Sequence, residues 1–179
     1  MPSYAVLLRG VNVGGKTIAM ADLRALLSDL GFDAVRTHLR SGNAVFRTAD
    51  TPPGELAARI ETALTERLGM DVRCLVRTRD EMNAVIAGDP LAGVADNGSR
   101  RMALFLSADP DPALKAAHDP TALDPERIHL GRRVIYQWCP DGFLQAPDVS
   151  AFVMKHWKLV VTGRNWNTVT KLAALLDAG

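Results

Sequence analysis

The stretch that most constrains this chain is Asp33–Thr48, "DAVRTHLRSGNAVFRT". Its first half alternates. Val35, Thr37 and Leu39 fall on one side, and Arg36, His38 and Arg40 on the other, which is the period of a strand. "SGN" is a tight-turn signal, and "AVFRT" is an apolar return strand. Strands joined by so short a turn are antiparallel, because a parallel pair needs a crossover of about a dozen residues or more. A helical pattern stands on each side of this hairpin. Before it, Leu23, Leu26, Leu27 and Leu30 repeat at helical spacing, with Gly31 as a stop. After it, "TPPGELAARIETALTERLG" carries Leu56, Ile60, Leu64 and Leu68 as one stripe. Ser3–Arg9 and "DVRCLVRT" supply the outer strands. The order β-α-β-β-α-β is that of the ferredoxin-like split unit. A short helix, "RDEMNAVIAG", follows, and Thr78 with Glu81 forms a capping box at its start.

Gly88–Ser99, "GDPLAGVADNGS", reads as a linker, after which the pattern restarts. "RMALFLSA" is a strand and "DPALKAAH" a short helix. "RIHL" and "RVIYQW" form a second hairpin. A helical stretch around Ser150–Trp157 follows, and a last helix is expected from about Arg164 to Ala178. The expected fold is α+β: two ferredoxin-like (βαββαβ-type) halves, residues 1–90 and 91–179, each an antiparallel sheet with helices packed on one face. The 179 residues suit two small units, and 47% hydrophobic with 23% charged residues excludes a disordered chain. No apolar run approaches the roughly 20 residues that span a bilayer. "MPSYAVLLRG" has no basic leader, so a cytoplasmic protein without membrane partners is expected. Cys74 and Cys139 sit in apolar strand-like runs and are expected as buried free thiols. A net charge of +1 excludes a polycation that coats nucleic acid nonspecifically.

Strand one runs into "GVNVGGKT", Gly10–Thr17, which fits the P-loop pattern G-x-x-x-x-G-K-S/T. The context argues against that reading. A working P-loop lies between a strand of a parallel sheet and a helix starting at the Lys. Here the helical pattern begins only at Met20, and the next strands form an antiparallel hairpin. What survives is a glycine-rich loop with Arg9, Asn12, Gly14, Gly15 and Lys16, a backbone that can wrap an anion. Ser41 and Asn43 lie in the hairpin turn. A third polar stretch, "TGRNWNTVTKL", places Arg164, Asn165, Asn167 and Lys171 at the start of the last helix. Trp166, Val169, Leu172, Ala173 and Leu176 form the opposite, apolar face. The expectation is that these three stretches meet at a cleft between the halves and bind a phosphate-bearing small molecule or nucleotide.

Two alternatives stand beside it. One is single-stranded nucleic-acid binding on a basic open sheet, with Arg36, His38 and Arg40 joined by Arg47, Arg73 or Arg77, although only Phe46 is placed to stack a base. The other is a small enzyme acting on a phosphorylated metabolite, with Lys16 or Arg9 stabilising charge. His38, His118, His129 and His156 have no metal-ligand spacing, so no metal is expected. No serine sits in a G-x-S-x-G elbow and no carboxylate pair stands out, so no catalytic residue is assigned and no cofactor is expected.

"LLRGVNVGGK", "MADLRALLSDLGF", "RSGNAVF" and "RNWNTVTKL", in this order and spacing, resemble the bacterial family known as domain of unknown function 1697. The resemblance implies two ferredoxin-like halves and no established activity, substrate or cofactor. In the family's pattern the first loop is R-G-I-N-V-G-G-K followed by a variable residue, so Thr17, which completes the P-loop match, is outside the motif. One departure concerns the region before the last two helices. Relatives carry a small, basic Ser-Lys stretch there, and this chain has "LQAPDVSAFVMKHW", with Asp148 and no matching Lys.

Overall fold

The computed structural model describes residues 1–12, 15–94 and 96–178. The chain divides into two compact units, Met1–Asn83 with Lys171–Gly179, and Ala84–Thr170.

The first unit contains β1 (Ser3–Leu8), α1 (Met20–Asp29), β2 (Asp33–His38), β3 (Asn43–Arg47), α2 (Pro53–Leu68), β4 (Cys74–Thr78) and the start of α3 (Arg79–Ala87). The strand order is β2-β3-β1-β4. Tyr4 of β1 lies opposite Phe46 of β3 and Thr78 of β4, and all three strand pairs are antiparallel. This is the ferredoxin-like arrangement that the hairpin between two helices requires. Alternate residues of the strands, Tyr4, Val6, Leu8, Ala44, Phe46, Cys74 and Val76, face Leu23, Leu26 and Leu27 of α1 and Leu56, Ile60 and Leu64 of α2 in one core. Leu68, at the end of the expected stripe, is exposed. The capping box is present: Glu81 N–H donates to Thr78 Oγ1 (3.1 Å), and Thr78 N–H to Glu81 Oε1 (3.0 Å).

The second unit repeats this plan with β5 (Arg101–Leu106), α4 (Pro112–Ala117), β6 (Ile128–Leu130), β7 (Val134–Trp138), α5 (Val149–His156), β8 (Val161–Asn165) and the start of α6 (Trp166–Ala178). Its strand order, β6-β7-β5-β8, matches that of the first sheet position for position. Leu104, Leu106, Ile128, Ile135, Val149, Val153, Trp157 and Val161 form its core. Asp148, at the family departure, caps α5 by accepting from Ala151 N–H (3.0 Å). Both cysteines are buried and free.

The last helix begins later than its sequence pattern suggests. Val161–Asn165 is a strand that pairs antiparallel with β5, and α6 starts only at Trp166. Gly163, Arg164 and Asn165 carry no strand signature, and a charged side chain reads as solvent-facing. The sheet nevertheless buries Arg164, because Ala103 opposite it is small and leaves room for the guanidinium.

The second face of the first sheet is also buried. Ala5, Leu7 and Val45 point away from α1 and α2 and are 0, 0 and 3% exposed. Leu175 and Leu176 of α6 line a narrow crevice with Arg36 and Val45, and Arg36 Nη2 donates to Leu175 O (3.3 Å). Asp177 accepts from Arg79 Nε (2.7 Å) and Asn83 Nδ2 (3.4 Å). The apolar centre of the sheet considered for nucleic acid is therefore covered, while Arg36 beside it stays exposed. Arg36, Ala5 and Arg77 do share one row, but the apolar residues between them are covered. Among the described residues, no helix is long and apolar enough to cross a membrane.

Candidate functional site

β1 ends at Leu8, and the chain turns through left-handed residues at Gly10 (φ 69°) and Asn12 (φ 58°). Asn12 tolerates this conformation because its short amide bonds locally. Its Nδ2 donates to Ile18 O (3.1 Å) and to Arg40 O, while its Oδ1 accepts from Ile18 N–H (3.1 Å). Gly15 is left-handed at φ 114°. Gly14, expected in the same loop, lies outside the described residues.

The hairpin turn packs directly on this loop. Leu8 N–H donates to Gly42 O (2.8 Å), and a Cβ on Gly42 would meet Val11 Cγ2 at 2.6 Å and Leu8 Cβ at 2.8 Å. Asn43 is wholly buried, with Nδ2 donating to His38 O (2.9 Å) and Ser41 Oγ (2.8 Å). Two of the three predicted stretches thus form one assembly. Asn12 and Asn43 are the cross-links that hold its backbone, and Ser41 is exposed at its surface.

Cations gather at this end of the sheet. Arg9 follows β1, and its N–H donates to Arg73 O (2.9 Å). Lys16 Nζ donates to Asp71 O (2.5 Å). An ammonium has three donors, so this bond leaves two for a ligand. Arg40 is tied to the loop through Asn12. Arg73 pairs with Glu61 (3.2 Å), whose carboxylate also accepts from Cys74 N–H (2.9 Å).

The third stretch divides between structural duties. Arg164, 7% exposed, donates through Nη1 to Thr162 Oγ1 (2.7 Å) and Gly163 O (2.9 Å), and burial pulls its pKa down to about 10. It is an interior sheet residue rather than the first residue of a helix. Asn165 Oδ1 caps α6 by accepting from Thr168 N–H (3.0 Å), and Trp166 N–H donates to Gly98 O (3.0 Å). Gly98 lies flush on Asn167, where any Cβ would strike Oδ1. Arg164, Asn165 and Asn167 belong to the second unit, whereas Lys171 and the first-loop residues belong to the first.

Arg164 has a counterpart that the sequence did not reveal. Arg77 lies opposite Ala5 as Arg164 lies opposite Ala103, each Arg is buried, and each precedes the residue that caps the next helix. The only signal is the pair "VRTR" and "GRNW", too short to be distinctive.

Lys171 bears on His38. Burial and then the Lys171 ammonium hold the His38 imidazole below its ordinary pKa of 6.5. Because the folded value is depressed, the neutral ring's contribution to stability is present above that ordinary value and fades as pH falls through the folded one. Replacing Lys171 with methionine is expected to raise the His38 pKa, read by NMR titration of its ring protons. An unchanged midpoint would show that the charge is not felt.

Two antiparallel sheets of identical strand order, one carrying a glycine-rich loop clamped to a hairpin turn, define a tandem ferredoxin-like protein. The chain belongs to the family described as protein of unknown function (DUF1697), whose profile matches residues 1–136. Among solved structures it is similar to a conserved bacterial protein from Streptococcus pneumoniae, at 23% identity and a TM-score of 0.73, covering 99% of each chain. At that identity the likeness shows the shared fold. No curated protein matches the sequence.

Proposed function

We propose that this protein binds a phosphate-bearing small molecule or nucleotide at the first loop, with Arg9, Lys16 and the exposed edge of the "SGN" turn as the anion-facing groups. The observation that carries the reading is the Asn12 clamp. It ties the loop to Arg40, and at the same end of the sheet Arg9 N–H bonds Arg73 O and Lys16 Nζ bonds Asp71 O. Left-handed residues at Gly10, Asn12 and Gly15 turn the backbone sharply, as anion-binding loops do. The antiparallel sheet and the start of α1 at Met20 separate this mode from a P-loop. Among the described residues, no group of three or more His, Cys, Asp or Glu could hold a metal. The groups on which the reading rests are side-chain cations and loop backbone.

The test is titration with inorganic phosphate, ADP and ATP, followed by calorimetry. Lys16→Ala and Arg9→Ala should each weaken binding about tenfold, the scale of one charged hydrogen bond. Affinity should fall as salt rises. Absence of binding at millimolar ligand, or binding that survives both substitutions unchanged, would refute the site.

A further inference from the structure

The second unit holds a cavity that the loop site does not explain. Its volume is about 230 Å³, and Leu106, Leu130, Val134, Ile135 and Trp157 line it. Four of these, Leu106, Val134, Ile135 and Trp157, are buried, so the floor is apolar. Trp157 is held in place by its Nε1–H, which donates to His118 O (2.8 Å). Asp109 and Lys115 also line the cavity, and both are exposed, which places them at its mouth. Asp109 Oδ1 accepts from Arg133 N–H (2.8 Å), which fixes the carboxylate and leaves its second oxygen for another donor. Among the described residues the Lys115 ammonium has no partner, and it does not pair with Asp109.

We propose that this cavity binds a free α-amino acid with an aliphatic side chain. The side chain fills the apolar floor, the ammonium reaches Asp109, and the carboxylate reaches Lys115. Charge and size both select this class. A fixed carboxylate and an unpaired ammonium at one mouth complement a zwitterion, whereas a simple fatty acid satisfies only Lys115 and an amine only Asp109. An apolar cavity of about 150 Å³ holds benzene, so one of this volume accommodates about nine non-hydrogen atoms, the size of leucine or isoleucine. The site is independent of the phosphate reading, as it lies in the other unit and uses none of the same residues.

The experiment compares three ligands of one shape by calorimetry and by Trp157 fluorescence: L-leucine, isocaproate, which lacks the amine, and isoamylamine, which lacks the carboxylate. Leucine is expected to bind at least about tenfold more tightly than either. Lys115→Ala should weaken leucine and isocaproate about tenfold and leave isoamylamine unchanged. Asp109→Asn keeps an acceptor for Arg133 N–H, and it should weaken leucine and isoamylamine while sparing isocaproate. Trp157→Phe should abolish the fluorescence response while calorimetric binding persists. Isocaproate binding as tightly as leucine, or no binding of any of the three at millimolar concentration, would overturn the proposal. The three-ligand comparison on the unaltered chain decides the question even where a variant misfolds.

Discussion

Gly42→Ala is expected to destabilise the first unit by about 3 kcal/mol. Two effects add. Gly42 sits at φ 86°, a conformation that costs an L-residue about 1–2 kcal/mol. The new methyl would also press on Val11 and Leu8 at distances no Cβ adopts, and forcing extra volume into a packed seam costs about 1–3 kcal/mol. Gly31 is the internal control. Its φ is 91°, but a Cβ there meets nothing within 4 Å, so Gly31→Ala should show only the backbone cost, about 1–2 kcal/mol. The urea midpoints of the two variants measure the difference. Equal midpoints would mean that the turn does not pack on the loop as described. Because Gly42 joins the turn to the loop, its replacement should also weaken any phosphate binding at Lys16, a coupling that Gly31→Ala should not show.

Phe46→Ala should be costlier, about 4 kcal/mol, the range for a buried phenylalanine truncated in a core. Phe46 is buried between Phe32, with ring centroids 4.3 Å apart and nearly parallel, and Tyr4 at 5.7 Å. It stands on β3, inside the hairpin that fixes the topology, so its loss leaves a cavity where helices and sheet meet. Phe143 serves as the comparison. It is 45% exposed in a turn of the second unit, and Phe143→Ala should change stability by less than about 0.5 kcal/mol. Chemical denaturation followed by far-ultraviolet dichroism separates these outcomes. A loss at Phe46 no larger than at Phe143 would remove the core assigned to the first unit.

The elements legible in the sequence are those whose environment repeats locally. Leu23, Leu26 and Leu27, and then Leu56, Ile60 and Leu64, have one side facing a single core, so a 3.6-residue period records them. "SGN" flanked by alternating residues fixes an antiparallel hairpin, and the capping box marks the start of α3. β8 was not legible, because Gly163 and Arg164 break the apolar pattern of a strand whose second face is buried. The candidate loop was visible by its glycines. Its clamp was not, since the Asn12 bond to Arg40 joins residues far apart in sequence. The cavity beside Trp157 left no trace at all. Its lining comes from the end of β5, the start of α4, the β6–β7 hairpin and the end of α5, each ordinary by itself.

By itself, the sequence determined the order of elements in the first half, the two antiparallel hairpins and the restart of the plan after the linker, though not the closing strand β8. These follow from short-range periodicity and turn chemistry, which each segment carries in its own residues. Tertiary structure alone decided that Arg164 is an interior residue like Arg77, that Leu175 and Leu176 line a crevice with Arg36 and Val45, and that the glycine-rich loop is braced by the turn. Those outcomes depend on which residues meet across the sheet and on the space Ala5 and Ala103 leave for a guanidinium. Such complementarity exists only between segments, after they have come together.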